Sequence, residues 1–361
     1  MKTILLIFAN EIKNNKAYIN YILRVLEKQH IDVDEIKFIQ DDNNEIPFLL
    51  EEMTQSCKNI IILSNEKNHA MITKILSTLS SKDVVLENGE LFLNGCTKEE
   101  NSFLVQVGNC QINLVKIIAG HNIPNILCEK NTLVKFCVYD IDSESLQILI
   151  SPVASELEIE FESIYLLENL TLIHIKNATD NTDKFIRACK NLFSGKLIKN
   201  QDIVKHCALK LMLNNKQVTF AESCTGGTIS KMLCAYDGVS DVFLGSFVTY
   251  SNKAKKAWLN VDNKNLKDSL VYSQNCTTQM AYGALKATKS NYAIATSGVV
   301  GKTDDMGVKS GTIFISVVSD DGKALHERLE LKGDRIYMQE CASLAAFMLL
   351  IKLDEKIFLN D

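Results

Sequence analysis

Residues 3–8, Thr-Ile-Leu-Leu-Ile-Phe, form an apolar run of the length and β-branched content of a buried strand. In the stretch that follows, Tyr18, Ile19, Tyr21, Ile22, Val25 and Leu26 recur at helical spacing, before a second apolar run at 60–63. A strand apolar on both sides needs cover on both faces, so this alternation predicts a parallel sheet layered with helices. Further strands are expected at 103–107 and 111–118, and the turn-rich Gly120-His121-Asn122-Ile123-Pro124 brings a first domain to a close near residue 130. The pattern then shortens, with a strand at 134–139, a helix from Ser143, a strand at 170–175 and a helix at 182–193. Ser194-Gly195-Lys196 resembles a helix stop and linker, and an amphipathic helix at 203–213 opens the last region. The expected fold class is α/β and multidomain: three-layer α/β domains at 1–130 and 199–361, with a small α+β domain at 131–198 between them. A length of 361 residues agrees, because single cores seldom grow beyond about 250–300 residues.

Charge and cysteine spacing remove several classes of partner. A net charge of −5 gives no electrostatic footprint for nucleic acid, so no polyanion partner is expected, although a local basic pocket can still hold a small anion. The 11 cysteines include no Cys-x-x-Cys pair and no Cys/His cluster at zinc spacing, so neither a metal nor a disulfide framework is expected. They read as reduced core thiols, as at Cys137 between Phe136 and Val138. The run 4–9 is broken by Asn10 and Glu11, and 344–351 is too short to span a bilayer, so a cytoplasmic location without membrane contact is expected.

Chemistry concentrates in four turns of the last region. Residues 218–221, Val-Thr-Phe-Ala, suit a buried strand and 228–235 a helix, which puts Glu222-Ser223-Cys224-Thr225-Gly226-Gly227 on the turn between them. Paired glycines allow close backbone approach, and the helix start offers NH groups to an oxyanion or phosphate. A plain helix cap by Ser223 or Thr225 explains the same residues. The second turn, Tyr250-Ser251-Asn252-Lys253-Ala254-Lys255, again leads from strand to helix, so Ser223 and Lys255 become neighbours if both strands end at one sheet edge. A solvated helix lysine is the competing account of Lys255. The third turn, 295–301, carries the small residues Ser297 and Gly298, and the fourth, Lys332-Gly333-Asp334-Arg335, precedes a helix at 337–351 and offers Arg335 to an anion or to a surface ion pair.

In this order and spacing, the four turns resemble the carboxy-terminal domain of the CinA family over roughly residues 200 to 352, with Gly238-Val239-Ser240 and Gly311-Thr312-Ile313 adding to the match. Members of that family include nicotinamide mononucleotide deamidases. The resemblance therefore implies hydrolysis of a pyridine carboxamide to a carboxylate and ammonia, without a cofactor. It implies Ser223 as nucleophile, Lys255 as general base and Tyr250 as an assisting group, with Ser297 and Arg335 engaging substrate. An oxyanion is expected against the NH groups of Thr225, Gly226 and Gly227, beside Gly298. The partner so implied is a small nucleotide, and an assembly of identical chains is expected. The other reading is a non-catalytic nucleotide-binding or competence-associated interaction protein.

Two departures bear on substrate preference: Lys302 stands where the family usually has proline, and the loop 303–310 differs in character. The amino-terminal region resembles the family's molybdopterin-binding-like domain in layout only. Ala9-Asn10-Glu11-Ile12 lies near an expected Gly-Asp-Glu-Ile, but Ser64-Asn65-Glu66-Lys67-Asn68-His69 replaces a glycine-rich run, so pyrophosphatase activity of that domain is expected to be lost.

Overall fold

The computed structural model describes residues 2–8, 10–40, 45–118, 120–129, 134–176 and 178–359. It divides into two compact units, 1–133 and 134–361. Ala9, in the first expected motif, and residues 130–133, at the first expected boundary, lie outside the described residues.

The first unit is a mixed sheet with helices on both faces. Its strands are β1 (Lys2–Phe8), β2 (Glu35–Phe38), β3 (Cys57–Ser64), β6 (Thr97–Glu99), β7 (Ser102–Val107) and β8 (Cys110–Lys116), and its helices include α1 (Asn10–Lys13), α2 (Lys16–Lys28), α3 (Ile46–Ser56) and α4 (Glu66–Ser80). A separate hairpin joins β4 (Val84–Glu87) to β5 (Glu90–Leu93). The sheet order is β2-β1-β3-β8-β7-β6, parallel across the first four strands and antiparallel beyond. Alternation along β1 sends Ile4, Leu6 and Phe8 into one core with Leu50 and Ile72, and Leu5 and Ile7 into another with Ile22 and Leu26. That two-sided burial explains the continuous apolar run in the sequence. Across the Ser64–His69 segment, Asn65 caps α4, Asn68 Nδ2 donates to Phe8 O at 3.0 Å, and His69 Nδ1 lies 3.3 Å from Ser64 Oγ.

The second unit holds two sheets. β9 (Val134–Tyr139), α5 (Ser143–Glu156), β10 (Phe161–Leu167), β11 (Leu170–Ile175), α6 (Thr182–Leu192) and β12 (Leu197–Ile198) build an antiparallel sheet of order β10-β11-β9-β12. Two features depart from the sequence reading. β10 lies outside the expected strands: its apolar residues do not alternate with polar ones, and Glu162, Ser163, Ile164 and Tyr165 are exposed. The expected linker at 194–196 leads straight into β12, where Leu197 and Ile198 pair with Val138 and Cys137.

The larger sheet follows, with α7 (Ile203–Leu213), β13 (Val218–Glu222), α8 (Thr228–Leu233), β14 (Phe243–Val248), α9 (Asn252–Leu259), α10 (Gln274–Thr288), β15 (Tyr292–Gly298), β16 (Thr312–Ser319), β17 (Ala324–Glu330) and α11 (Arg335–Leu353). Its order is β14-β13-β15-β16-β17, parallel for the first three strands and antiparallel for the last two. Phe220 and Ile294 face a core shared with α7, α8 and α11, while Ala221, Ala293 and Ala295 face α10. The 19 residues of α11 are long and apolar enough to cross a bilayer by length and composition, a longer segment than the run 344–351 suggested. Met338, Ala342, Phe347 and Leu350 instead bury it within this core.

Candidate active site

Parallel strands that end side by side place their following turns together, and β13 and β14 do so here. The turn after β13 is built around a carboxylate. Glu222 is fully buried, and its Oε2 accepts from Gly227 N at 2.8 Å, Ile229 N at 3.1 Å and Thr225 Oγ1 at 2.9 Å. Its Oε1 accepts from Ser230 N at 3.0 Å, Ser246 Oγ at 3.2 Å and the Ser230 hydroxyl. One side chain thus satisfies the NH groups that a helix start leaves open, and fixes the turn between them. Gly226 and Gly227, at φ +61° and +102°, supply the left-handed backbone that reverses the chain. Gln339 Nε2 on α11 donates to Cys224 O at 2.7 Å and anchors the turn from the other side.

This frame presents Ser223, 7% exposed, to Lys255 on the first turn of α9. Lys255 Nζ lies 2.9 Å from Ser223 Oγ and donates to Thr249 O at 2.9 Å. Ser251 holds the start of α9 by accepting from Ala254 N at 3.1 Å, which sets the lysine stem pointing inward. Lys255 is only 2% exposed, and that burial drives its pKa below the ordinary lysine value. Among the described residues no carboxylate is hydrogen-bonded to it to offset the loss of hydration. Burial has the opposite effect on the adjacent thiol, pushing Cys224 up to about 12 and leaving it a poor nucleophile. The histidines of this region are engaged elsewhere: His206 Nε2 lies 2.6 Å from Phe358 O, and His326 Nδ1 lies 3.0 Å from Ser316 Oγ.

A cleft of about 420 Å3 opens over this pair, walled by Tyr250, Tyr272, Gly298, Asp304, Asp305 and Arg335 among others. Tyr250 accepts from Arg335 Nη1 at 3.3 Å. Ser223, Lys255, Tyr250, Gly298 and Arg335 therefore share one cleft, and the other expected residues stand behind it. Ser297 is fully buried and donates to Val271 O at 2.8 Å, because β15 continues through Gly298, paired with β16, where a turn from 295 was expected. Gly298 fits that pairing because a Cβ there would sit 2.4 Å from Thr312 O. The oxyanion donors also need revision. Gly226 N donates to Ser223 O at 3.2 Å and Gly227 N to Glu222, so neither is available, and Thr225 Oγ1 is bound to Glu222 and Thr296. The NH groups of Cys224 and Thr225 are engaged by none of the hydrogen bonds closing the turn. The sequence reading named Glu222 only as part of a segment; a carboxylate just before a Gly-Gly helix start was the available signal.

The fold and the pair define a three-layer α/β domain with a serine and a lysine buried together at the carboxyl edge of its parallel strands. Residues 200–353 match the model of the CinA C-terminal domain. A CinA-like protein of Fervidobacterium nodosum is 40% identical over 141 residues, covering 39% of this chain and 34% of that protein. A CinA-like protein of Petrotoga mobilis is 27% identical over 331 residues, covering 86% of this chain and 81% of that protein. Among solved structures, competence/damage inducible protein CihA from Agrobacterium tumefaciens is 28% identical, covering 42% of this chain and 96% of that one at a TM-score of 0.40. The chain spans only about a third of the length of the Fervidobacterium relative, 34%.

Proposed function

We propose that the second unit is a nicotinamide mononucleotide deamidase, an amidohydrolase converting the ring carboxamide to a carboxylate. The observation that carries this reading is Lys255 Nζ, buried with no acidic partner among the described residues, 2.9 Å from Ser223 Oγ. A serine hydroxyl becomes nucleophilic when a neighbouring base takes its proton, and a lysine serves as that base only when neutral. With one hydrogen of the neutral amine directed to Thr249 O, its lone pair is free to take the hydroxyl proton. Ser223 Oγ attacks the carboxamide carbon as its proton passes to Lys255. The resulting oxyanion is met by the NH groups of Cys224 and Thr225. Collapse expels ammonia, which takes the proton from Lys255 and leaves an ester on Ser223. Water then attacks the ester, with Lys255 again as base, releasing nicotinate mononucleotide and restoring the hydroxyl. Tyr250 and Arg335, hydrogen-bonded at the rim, suit the ribose phosphate end.

Ammonia release from nicotinamide mononucleotide by the full chain tests this directly. Turnover should fall at least about a thousandfold in Ser223→Ala, consistent with loss of a nucleophile. Binding without turnover by the parent at any pH would instead favour a nucleotide-binding module, and equal rates in parent and Ser223→Ala would reject the nucleophile.

A further inference from the structure

The cleft contains charges that the hydrolytic steps leave unused. Asp304 and Asp305 both line it, and among the described residues neither carboxylate is ion-paired. Asp304 Oδ1 accepts from Ser310 N at 2.9 Å, which folds the loop 301–310 back on itself, helped by Asp305 N donating to Val308 O at 3.0 Å. Asp305 Oδ2 accepts from the Tyr272 hydroxyl. Arg335 also lines the cleft and has no carboxylate partner among the described residues, its Nη1 meeting Tyr250. The Tyr272 hydroxyl is pushed up to about 12 by burial and then by Asp305, with smaller contributions from Tyr250 and Cys224, so Tyr272 lies close both to the nucleophile turn and to the loop.

Uncompensated carboxylates and an uncompensated guanidinium that do not pair with each other, in one cleft, match a ligand carrying a cation and an anion at separate ends. Resting on the deamidase reading, we infer that Asp305, held by Tyr272, selects a cationic ring on the amide-bearing part of the substrate. Tyr250 and Tyr272 add aromatic surface to the same cleft, which also favours a flat cation. Asp304 shapes the loop, and Asp305 supplies the discriminating charge.

The test uses the full chain carrying Ser223→Ala, which blocks turnover, titrated calorimetrically with nicotinamide mononucleotide and with its dihydro form, whose ring is neutral and whose phosphate is unchanged. The oxidised form should bind about fivefold more tightly, as expected for one partly exposed charge contact, and added salt should reduce that ratio. Adding Asp305→Asn, which keeps an acceptor for Tyr272, should bring the ratio close to one while leaving affinity for the dihydro form unchanged. Tyr272→Phe, which frees Asp305, should lower the ratio in the same direction. A ratio near one before any change at Asp305, or one that Asp305→Asn leaves intact, overturns the inference while the deamidase reading stands on turnover by the parent. An equal loss of both affinities in Asp305→Asn assigns the residue a purely structural role and also overturns it. Binding of neither nucleotide also overturns the inference, and the deamidase reading falls with it only if the parent releases no ammonia.

Discussion

A lysine packed to 2% exposure has lost the hydration that stabilises its charged form, and what its amine gains in return is a single carbonyl and a hydroxyl. Its pKa is lowered by burial, so between the folded and the ordinary lysine value the unfolded chain binds the extra proton. Stability from this residue is therefore lost as pH falls through that window and recovered as pH rises towards the ordinary lysine value. Replacing Lys255 with methionine should raise unfolding free energy at pH 7 by about 1–2 kcal/mol while abolishing ammonia release. Urea unfolding at pH 7 checks the first half; a destabilised variant would mean the amine is held favourably in its charged form. The same shift has a kinetic counterpart: kcat should climb with pH as Lys255 loses its proton and level off below the ordinary lysine pKa. A rate that does not change across the lysine range would contradict its role as base. At Cys224 the sign is reversed. A thiol pushed up to about 12 remains protonated, so Cys224→Ala should retain activity within about threefold, and iodoacetamide should not inactivate the parent through this residue.

At the level of elements, the site depends on a six-residue helix, α8, whose first NH groups are claimed by Glu222. Glu222→Gln would turn an amide NH2 towards donors that need an acceptor. It should cost about 2 kcal/mol or more of stability and reduce kcat by loosening the Ser223 turn. Thermal unfolding with steady-state kinetics checks both, and an unchanged melting temperature would show that the network is not required. Much of this geometry was legible in the sequence. β1 and β3 are buried on both faces and therefore read as continuous apolar runs, and α2 and α7 bury residues at helical spacing. Ser223 and Lys255 could be brought together because each follows a parallel strand. What escaped the reading has physical causes. β10 is largely exposed, β12 has only two residues, and Ser297 sits in a strand whose length is set by pairing with β16, a contact distant in sequence. Propensity carries no information about such partners. The exhaustion of the Gly226 and Gly227 donors likewise depends on where a buried carboxylate points.

For the whole molecule, the two units pose different questions. In the first, the loop after β3 is closed by Asn68, whose N donates to Asn65 Oδ1 and whose Nδ2 donates to Phe8 O, and Lys116 is paired with Glu66 and Glu90 at 3.2 Å each, so its charge is already matched. The protein should show no cleavage of nucleotide pyrophosphates, and phosphate release above background would refute this. In the second unit, the small sheet and the larger one bury a common set of side chains: Cys137, Tyr139, Leu167 and Leu170 pack in one core with Val204, Leu211 and Phe347. Polar contacts reinforce it, with the Tyr139 hydroxyl donating to Glu355 at 3.1 Å and Lys352 Nζ bonded to Asp140 at 2.7 Å. Residues 134–361 should therefore fold as one cooperative body carrying the full ammonia-releasing activity. A shorter piece, 200–361, would expose the apolar surface that the small sheet covers. Each large side chain left without its partner forfeits about 1.5–3 kcal/mol, so several such losses should lower its unfolding free energy well below that of 134–361. Its catalytic groups all lie after residue 200, so any surviving folded fraction should keep an unchanged KM while the melting temperature drops. Differential scanning calorimetry on the two pieces, read beside their kinetics, decides the matter. Equal melting temperatures would mean that the small sheet rests on the larger one without supporting it.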